Sequence, residues 1–216
     1  MKCNRIIPIL TASLAAFAAT ASVASAASLT GTDSAERLIG TKTADSISAL
    51  GGNDRVFGLS GNDVVTAGEG RDLVVGGRGD DELAGDGGND FLFANAGVDV
   101  LNGGDGNDRL WAVTRVDVVP GEGGAVDTVG DTLSGGAGDD RLNARDGETD
   151  TISCGDGTDV ANLDNADVIS DATAEAPNGS CESVNRAEPR TRDGNTANED
   201  LQQRVTDLLS RLRNKR

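Results

Sequence analysis

Aliphatic residues in this chain recur at every ninth position. That spacing belongs neither to the 3.6-residue period of a helix nor to the alternation of a long strand. From Gly31 to Pro120 the sequence divides into nine-residue frames without a gap. The eighth place of each frame holds Leu38, Ile47, Val56, Val65, Val74, Leu83, Leu92, Leu101, Leu110 and Val119. Two places earlier stand Glu36, Asp45, Asp54, Asp63, Asp72, Asp81, Asp90, Asp99, Asp108 and Asp117. Beyond Pro120 the frame continues with slips. Gly121 to Ala125 reads as an insertion, Asp131 and Leu133 resume the pattern, and Gly135 to Asn143 is a clean copy. The next frame is stretched by one residue to place Asp150 and Ile152. Asp159 follows, and Asp167 with Ile169 marks a decayed last turn.

A short internal period predicts a repeat architecture, because one such unit cannot bury its apolar side chain without its neighbours. Residues six to eight of a frame, such as Asp63, Val64 and Val65, are expected to form a very short strand with the eighth side chain inward. The Gly-rich residues before them make a tight turn, since glycine reaches backbone angles closed to other residues. Two frames per coil place frames of equal parity on one edge. Asp54, Asp72, Asp90 and Asp108 then stack along one side, and Asp45, Asp63, Asp81 and Asp99 along the other. Coils repeat at the strand spacing of about 4.7–4.9 Å.

Composition sharpens this picture. The 216 residues include 30 Gly, one Trp, and neither Tyr nor His, with a formal charge of −17. Such acidity argues against nucleic acid as a partner, whose phosphates it would repel. A stack of carboxylates less than 5 Å apart repels itself unless a cation intervenes. Ca²⁺ suits the gap, taking six to eight oxygens at about 2.3–2.6 Å in flexible geometry. Mg²⁺ demands a smaller octahedron, and Zn²⁺ lacks the nitrogen and sulfur ligands it prefers.

Frames such as Gly58–Thr66 (GLSGNDVVT), Gly76–Ala84 (GGRGDDELA) and Gly103–Trp111 (GGDGNDRLW) closely resemble the RTX, or haemolysin-type, calcium-binding nonapeptide G-G-x-G-x-D-x-U-x. The resemblance covers about Gly31 to Asn162. It implies a parallel β-roll, with two nonapeptides per turn and calcium ions in rows where the Gly turns stack. Carried onto this chain, the metal-site residues are Asp45, Asp54, Gly58, Gly61, Asp63, Asp72, Gly76, Gly79, Asp81, Gly85, Gly88, Asp90, Asp99, Gly103, Gly106, Asp108, Gly135, Gly138 and Asp140. The Gly-poor frames leading to Asp45 and Asp117 are expected as ion-free rungs, and the frame of Glu36 as an end cap. One aliphatic per frame buries too little to order the chain alone, so folding is expected to depend on calcium.

The remaining segments read differently. Lys2 and Arg5, an apolar stretch from Ile6 to Ala19, and Ala24-Ser25-Ala26 form the three regions of a cleaved signal peptide. No membrane insertion is expected, and the product is expected outside the cell. Cleavage removes Cys3 and leaves Cys154 and Cys181 as a disulfide pair in an oxidising compartment. Residues 27–182 form the roll and carry −22, residues 183–198 a polar linker, and 199–216 a basic amphipathic segment. Leu201, Val205, Leu208, Leu209 and Leu212 lie on one stripe there, predicting a helix with Asn198 as its N-cap. The predicted fold class is therefore all-β: a parallel β-roll (a β-solenoid) of tandem nonapeptides with a short C-terminal α-helix.

No catalytic residues are expected. The chain lacks His, and neither HExxH nor GxSxG occurs. Paired acids such as Asp80 with Asp81, or Asp139 with Asp140, already have places in the repeat. The expected function is calcium binding by a secreted protein that folds around its ions. Calcium-dependent adhesion or self-assembly at the cell surface is the alternative, and the protein or surface partner is left open.

Overall fold

The computed structural model describes residues 26–112, 129–174, 176 and 178–187. All but Ala26 of the expected signal peptide, the frame of Asp117 and Val119 beyond Ala112, most of the expected linker and the expected C-terminal helix lie outside the described residues.

The described chain is all-β. Its strands in order are β1 (Ser28–Thr30), β2 (Arg37–Ile39), β3 (Ser46–Ser48), β4 (Arg55–Ser60), β5 (Val64–Gly70), β6 (Leu73–Arg78), β7 (Glu82–Gly88) and β8 (Phe91–Ala96). There follow β9 (Val100–Asp105), β10 (Arg109–Trp111), β11 (Thr132–Ala137), β12 (Arg141–Ala144), β13 (Thr151–Asp156), β14 (Val160–Leu163), β15 (Val168–Ile169) and β16 (Ser183–Arg186). Odd strands form one eight-stranded sheet and even strands another, in sequence order across each. Every pairing is parallel, as in β5 on β7, where Val65 faces Leu83. The chain thus winds as a solenoid, one strand per sheet in each turn. Among the described residues no helix is long and apolar enough to cross a membrane.

The eighth-place aliphatics meet between the sheets. Ile47, Val65, Leu83, Leu101, Leu133 and Ile152 from the odd sheet pack with Val56, Val74, Leu92, Leu110 and Leu142 from the even sheet, all essentially inaccessible to water. Each contributes about 1.5–3 kcal/mol on burial. First-place residues Ala49, Ala67, Ala94 and Ala144 fill the corners of this narrow core.

Several strands are longer than the three residues expected. β5 and β7 run seven residues each, through the Gly turn. Left-handed turns of successive coils lie in register, Gly68 on Asp86 and Gly70 on Gly88, so the pairing continues around the corner. Glycine is required at the fourth place of turns that stack on an earlier coil, though not in the first coil, where Ser34 and Thr43 stand. Gly79 has a φ of +115°, and a Cβ there would sit 2.7 Å from the carbonyl carbon of Gly61 one coil away.

The excursion after β10 corrects the sequence frame. The nine-residue period makes Asp117 the ladder neighbour of Asp99, but Asp131 holds that place: the Asp99 N–H donates to Asp131 Oδ1 at 2.7 Å. β9 pairs directly with β11 and β10 directly with β12. Local spacing cannot reveal this, because stacking is decided by which later strand closes on the sheet. The roll also runs into the stretch assigned to the linker. β16 pairs with β14, with Val184 opposite Ala161 in an aliphatic place.

The last coils are closed by the disulfide between Cys154 and Cys181. Both cysteines are buried in the main core. Cys154 occupies a first-place position, where most frames carry Gly or Ala.

Candidate calcium site

Each sixth-place aspartate immediately precedes its strand, at the point where the Gly turn ends, and where first-place glycine stands its Oδ2 lies beside that glycine. Asp54, Asp63, Asp72, Asp81, Asp90, Asp99, Asp108, Asp131, Asp140, Asp150 and Asp159 are all no more than 2 % exposed. Their Oδ1 atoms form two continuous ladders, each accepting the backbone N–H of the acid one coil earlier. In one, Asp45 donates to Asp63, Asp63 to Asp81 and Asp81 to Asp99, at 2.7–2.8 Å. In the other, Asp54 donates to Asp72, Asp72 to Asp90 and Asp90 to Asp108, at 2.6–2.8 Å. Asp108 passes to Asp140, Asp140 to Asp159, and Asp159 to Glu182. The structure therefore brings together the two aspartate rows that the period predicts.

The second oxygen is the chemically open one. In Asp54, Asp63, Asp72, Asp81, Asp90, Asp108, Asp131, Asp140, Asp150 and Asp159, Oδ2 is buried with no hydrogen-bond partner. A buried carboxylate oxygen without donor or cation is costly. Around it gather other oxygens. A Cβ added to Gly85 would lie 2.6 Å from Asp90 Oδ2 and close upon the Gly103 carbonyl oxygen of the next coil. Gly103 stands likewise beside Asp108, and Gly135 beside Asp140, each 2.5 Å from such a Cβ to Oδ2. Gly58 and Gly76 hold the same place beside Asp63 and Asp81. Fourth-place Gly61, Gly79, Gly88, Gly106 and Gly138 all have positive φ. They let the turns stack closely enough for carbonyls and carboxylates of adjacent coils to share one space. Hard oxygen donors in that arrangement fit Ca²⁺.

Burial raises these acids. It pushes Asp81, Asp90 and Asp140 up to about 7, against the lowering effect of the backbone N–H each accepts, with neighbouring carboxylates adding to the rise. Asp63 and Asp108 rise to about 6 for the same leading reason. Asp131 reaches about 8 and Asp150 about 9, burial leading in both, with the charge of Asp146 next for Asp150. A cation at Oδ2 opposes this rise, since it stabilises the ionised form.

The ends differ from the middle. Asp45 has both oxygens engaged: Oδ1 accepts from Ala27 N–H and the Thr41 hydroxyl, Oδ2 from Thr41 N–H. Glu36 is held by the Thr32 N–H and hydroxyl. Glu182 ends the even-sheet ladder as Glu36 begins it, a role the 23-residue step from Asp159 concealed in the sequence. Sequence reasoning also missed a second ladder at the fifth place, which runs the opposite way. There Arg71 N–H donates back to Asn53 Oδ1 and Asn107 N–H to Asn89 Oδ1. Asn or Asp at the fifth place, as in Asn53, Asn62, Asp80, Asn89, Asn107 and Asp139, was its visible signal.

The comparison with known families matches this geometry. The family described as the RTX calcium-binding nonapeptide repeat (4 copies) matches residues 30–65, 48–83, 57–92, 84–112 and 128–161. No curated protein matches the sequence. The matched segments hold every aspartate of the two ladders from Asp45 to Asp159, and the chain belongs to the family of RTX calcium-binding nonapeptide repeat proteins.

Proposed function

We propose that the chain is a secreted calcium-binding protein whose roll takes Ca²⁺ between stacked Gly turns and folds as it does so. The observation that carries this reading is the row of buried, partnerless Oδ2 atoms, which at Asp63, Asp81, Asp90, Asp108 and Asp140 stand against a first-place glycine and a carbonyl of the next coil. Asp54, Asp63, Asp72, Asp81, Asp90, Asp108 and Asp140 would supply charge, and the turn carbonyls the remaining oxygens. Calcium supplies the positive charge that lets these acids stay ionised while buried. Because the binding energy appears as folding energy, the metal-free chain at neutral pH is expected to lose its sheets. Secretion is supported by the Cys154–Cys181 disulfide, which persists in oxidising compartments, and by the leader-like residues 1–26. The role proposed is binding and structural rather than catalytic, since the buried sixth-place acids have places in the ladders.

The test is a calcium titration of the chain from Ala27 onward, disulfide intact, followed by far-ultraviolet circular dichroism with magnesium as control. A cooperative gain of β signal specific to calcium is expected. Equal β signal in excess chelator at pH 8 would refute folding on binding.

A further inference from the structure

The regular rungs do not account for one group of acids. In the stretched frame, five residues (Arg145 to Thr149) separate first-place Ala144 from sixth-place Asp150, where regular frames have four. The additional length brings Glu148 inward until it is only 6 % exposed. Asp146, Glu148 and Asp150 each offer a carboxylate oxygen within 4.8 Å of the other two. Asp150 is fully buried, with Oδ1 taken by the Asp131 N–H at 2.6 Å and Oδ2 without a partner. Turn chemistry explains Asp146, whose Oδ1 accepts from Glu148 N–H at 3.1 Å. Neither that turn nor the ladder, which engages Asp150 through Oδ1, explains the buried Glu148 beside them.

We propose that this turn is a separate calcium site, with Asp146, Glu148 and Asp150 as its carboxylate ligands, and that it binds more tightly than the regular rungs. The inference rests on the calcium-binding reading above and deepens it. Two oxygens on one Ca²⁺ at about 2.3–2.6 Å are at most about 5 Å apart, so the three oxygens already lie within the reach of one ion. Calcium affinity rises with the charge and rigidity of the ligand set. Two buried acids with a half-buried third on one turn exceed the single buried carboxylate of a regular frame. The turn is also braced. Gly147 N–H donates to Asp164 Oδ2 at 2.7 Å, and Asp164 N–H to Asp167 Oδ2 at 2.7 Å. Arg186 Nη1 ties the carbonyls of Asp164 and Asp167 together at 2.9 and 3.0 Å.

The experiment is calorimetric titration of Ca²⁺ into the mature chain with its disulfide, as wild type, Glu148→Gln and Asp146→Asn, with Asp80→Asn on an exposed regular turn as control. The wild type is expected to show one ion bound at least tenfold more tightly than the rest. Glu148→Gln and Asp146→Asn should lose that phase, keep the later binding, and reach the wild-type circular dichroism spectrum in saturating calcium. Asp80→Asn should retain the tight phase. A wild type without a tight phase, or a tight phase unchanged in Glu148→Gln, overturns the site while leaving rung binding in place. No calcium binding by the wild type at all overturns the broader reading instead.

Discussion

The roll before residues 113–128 and the roll after them share one core and the aspartate ladders but differ in coil length and outer face. Up to Asp108 the ladder acids are spaced by 18 residues in every coil. Afterwards the steps are 32, 19, 17 and 23. The outer face of the even sheet changes at the same boundary. Its ninth-place column runs Ile39, Phe57, Val75, Phe93 and Trp111 in register, forming a second apolar cluster away from the main core. Phe93 and Trp111 stack with centroids 4.5 Å apart and planes within 5°. Arg71 and Arg109 lie over the Phe91 ring beside them. Beyond Trp111 the same column becomes Asn143, Asn162 and Asn185, whose amides hydrogen-bond in a row at 2.9 and 3.1 Å. The odd sheet shows neither pattern; its ninth-place residues include Ser48, Thr66, Asn102 and Ser134. The lesson is that the fold demands an acid, an aliphatic and a turn that can stack in each frame, and little else. Turn length and outer face are free to vary, and the second half uses that freedom for a disulfide, an amide row and a turn rich in carboxylates.

The largest expected effect tests what both halves share. Buried acids with raised pKa bind more protons folded than unfolded, so their contribution favours the metal-free roll below about pH 4. It is lost as pH rises through about 6 to 9. In excess chelator the β signal should therefore fall from acid toward pH 9, and calcium should restore it at the alkaline end. A chelated roll that is more stable at pH 8 than at pH 5 would contradict this. Next come the core positions. Leu101→Ala and Leu142→Ala, in saturating calcium, should each cost about 2–5 kcal/mol by denaturant melting. A much smaller loss at Leu142 would mean that the irregular half is packed loosely.

The disulfide acts on one half alone. Replacing Cys154 and Cys181 by Ser should cost about 2–4 kcal/mol. Hydrogen exchange should quicken in β13 to β16 and stay slow in β4 to β8. The smallest effect is in the amide row: Asn162→Ala should cost about 1 kcal/mol, read as a small drop in melting temperature.

The columns of the regular half are legible in the sequence because each serves a single chemical purpose, with Asp at the sixth place, an aliphatic at the eighth, and Gly where the turn must stack. The aromatic column was harder to see. It repeats every 18 residues, so a search at nine finds Phe57 and Phe93 diluted by Thr66 and Ala84. Asp117 and Val119 imitate a frame locally, yet Asp131 and Leu133 take the neighbouring places beside Asp99 and Leu101. Glu182 was hidden by its long step. Glu148 passes in the sequence for an ordinary polar turn residue until the lengthened turn swings it inward.

Parity has a consequence for how such a chain can change in length. Removing two adjacent frames, Gly76 to Phe93, deletes one whole coil and shortens the solenoid by about 4.8 Å, leaving every later residue on its own sheet. Removing a single frame moves all that follows to the opposite sheet, setting polar residues into the line of Phe57 and breaking the aromatic stack. The excursion in this protein respects the same rule, since β11 returns to the sheet of β9. The molecule can thus lengthen or shorten like a ruler, but only in whole divisions of two repeats.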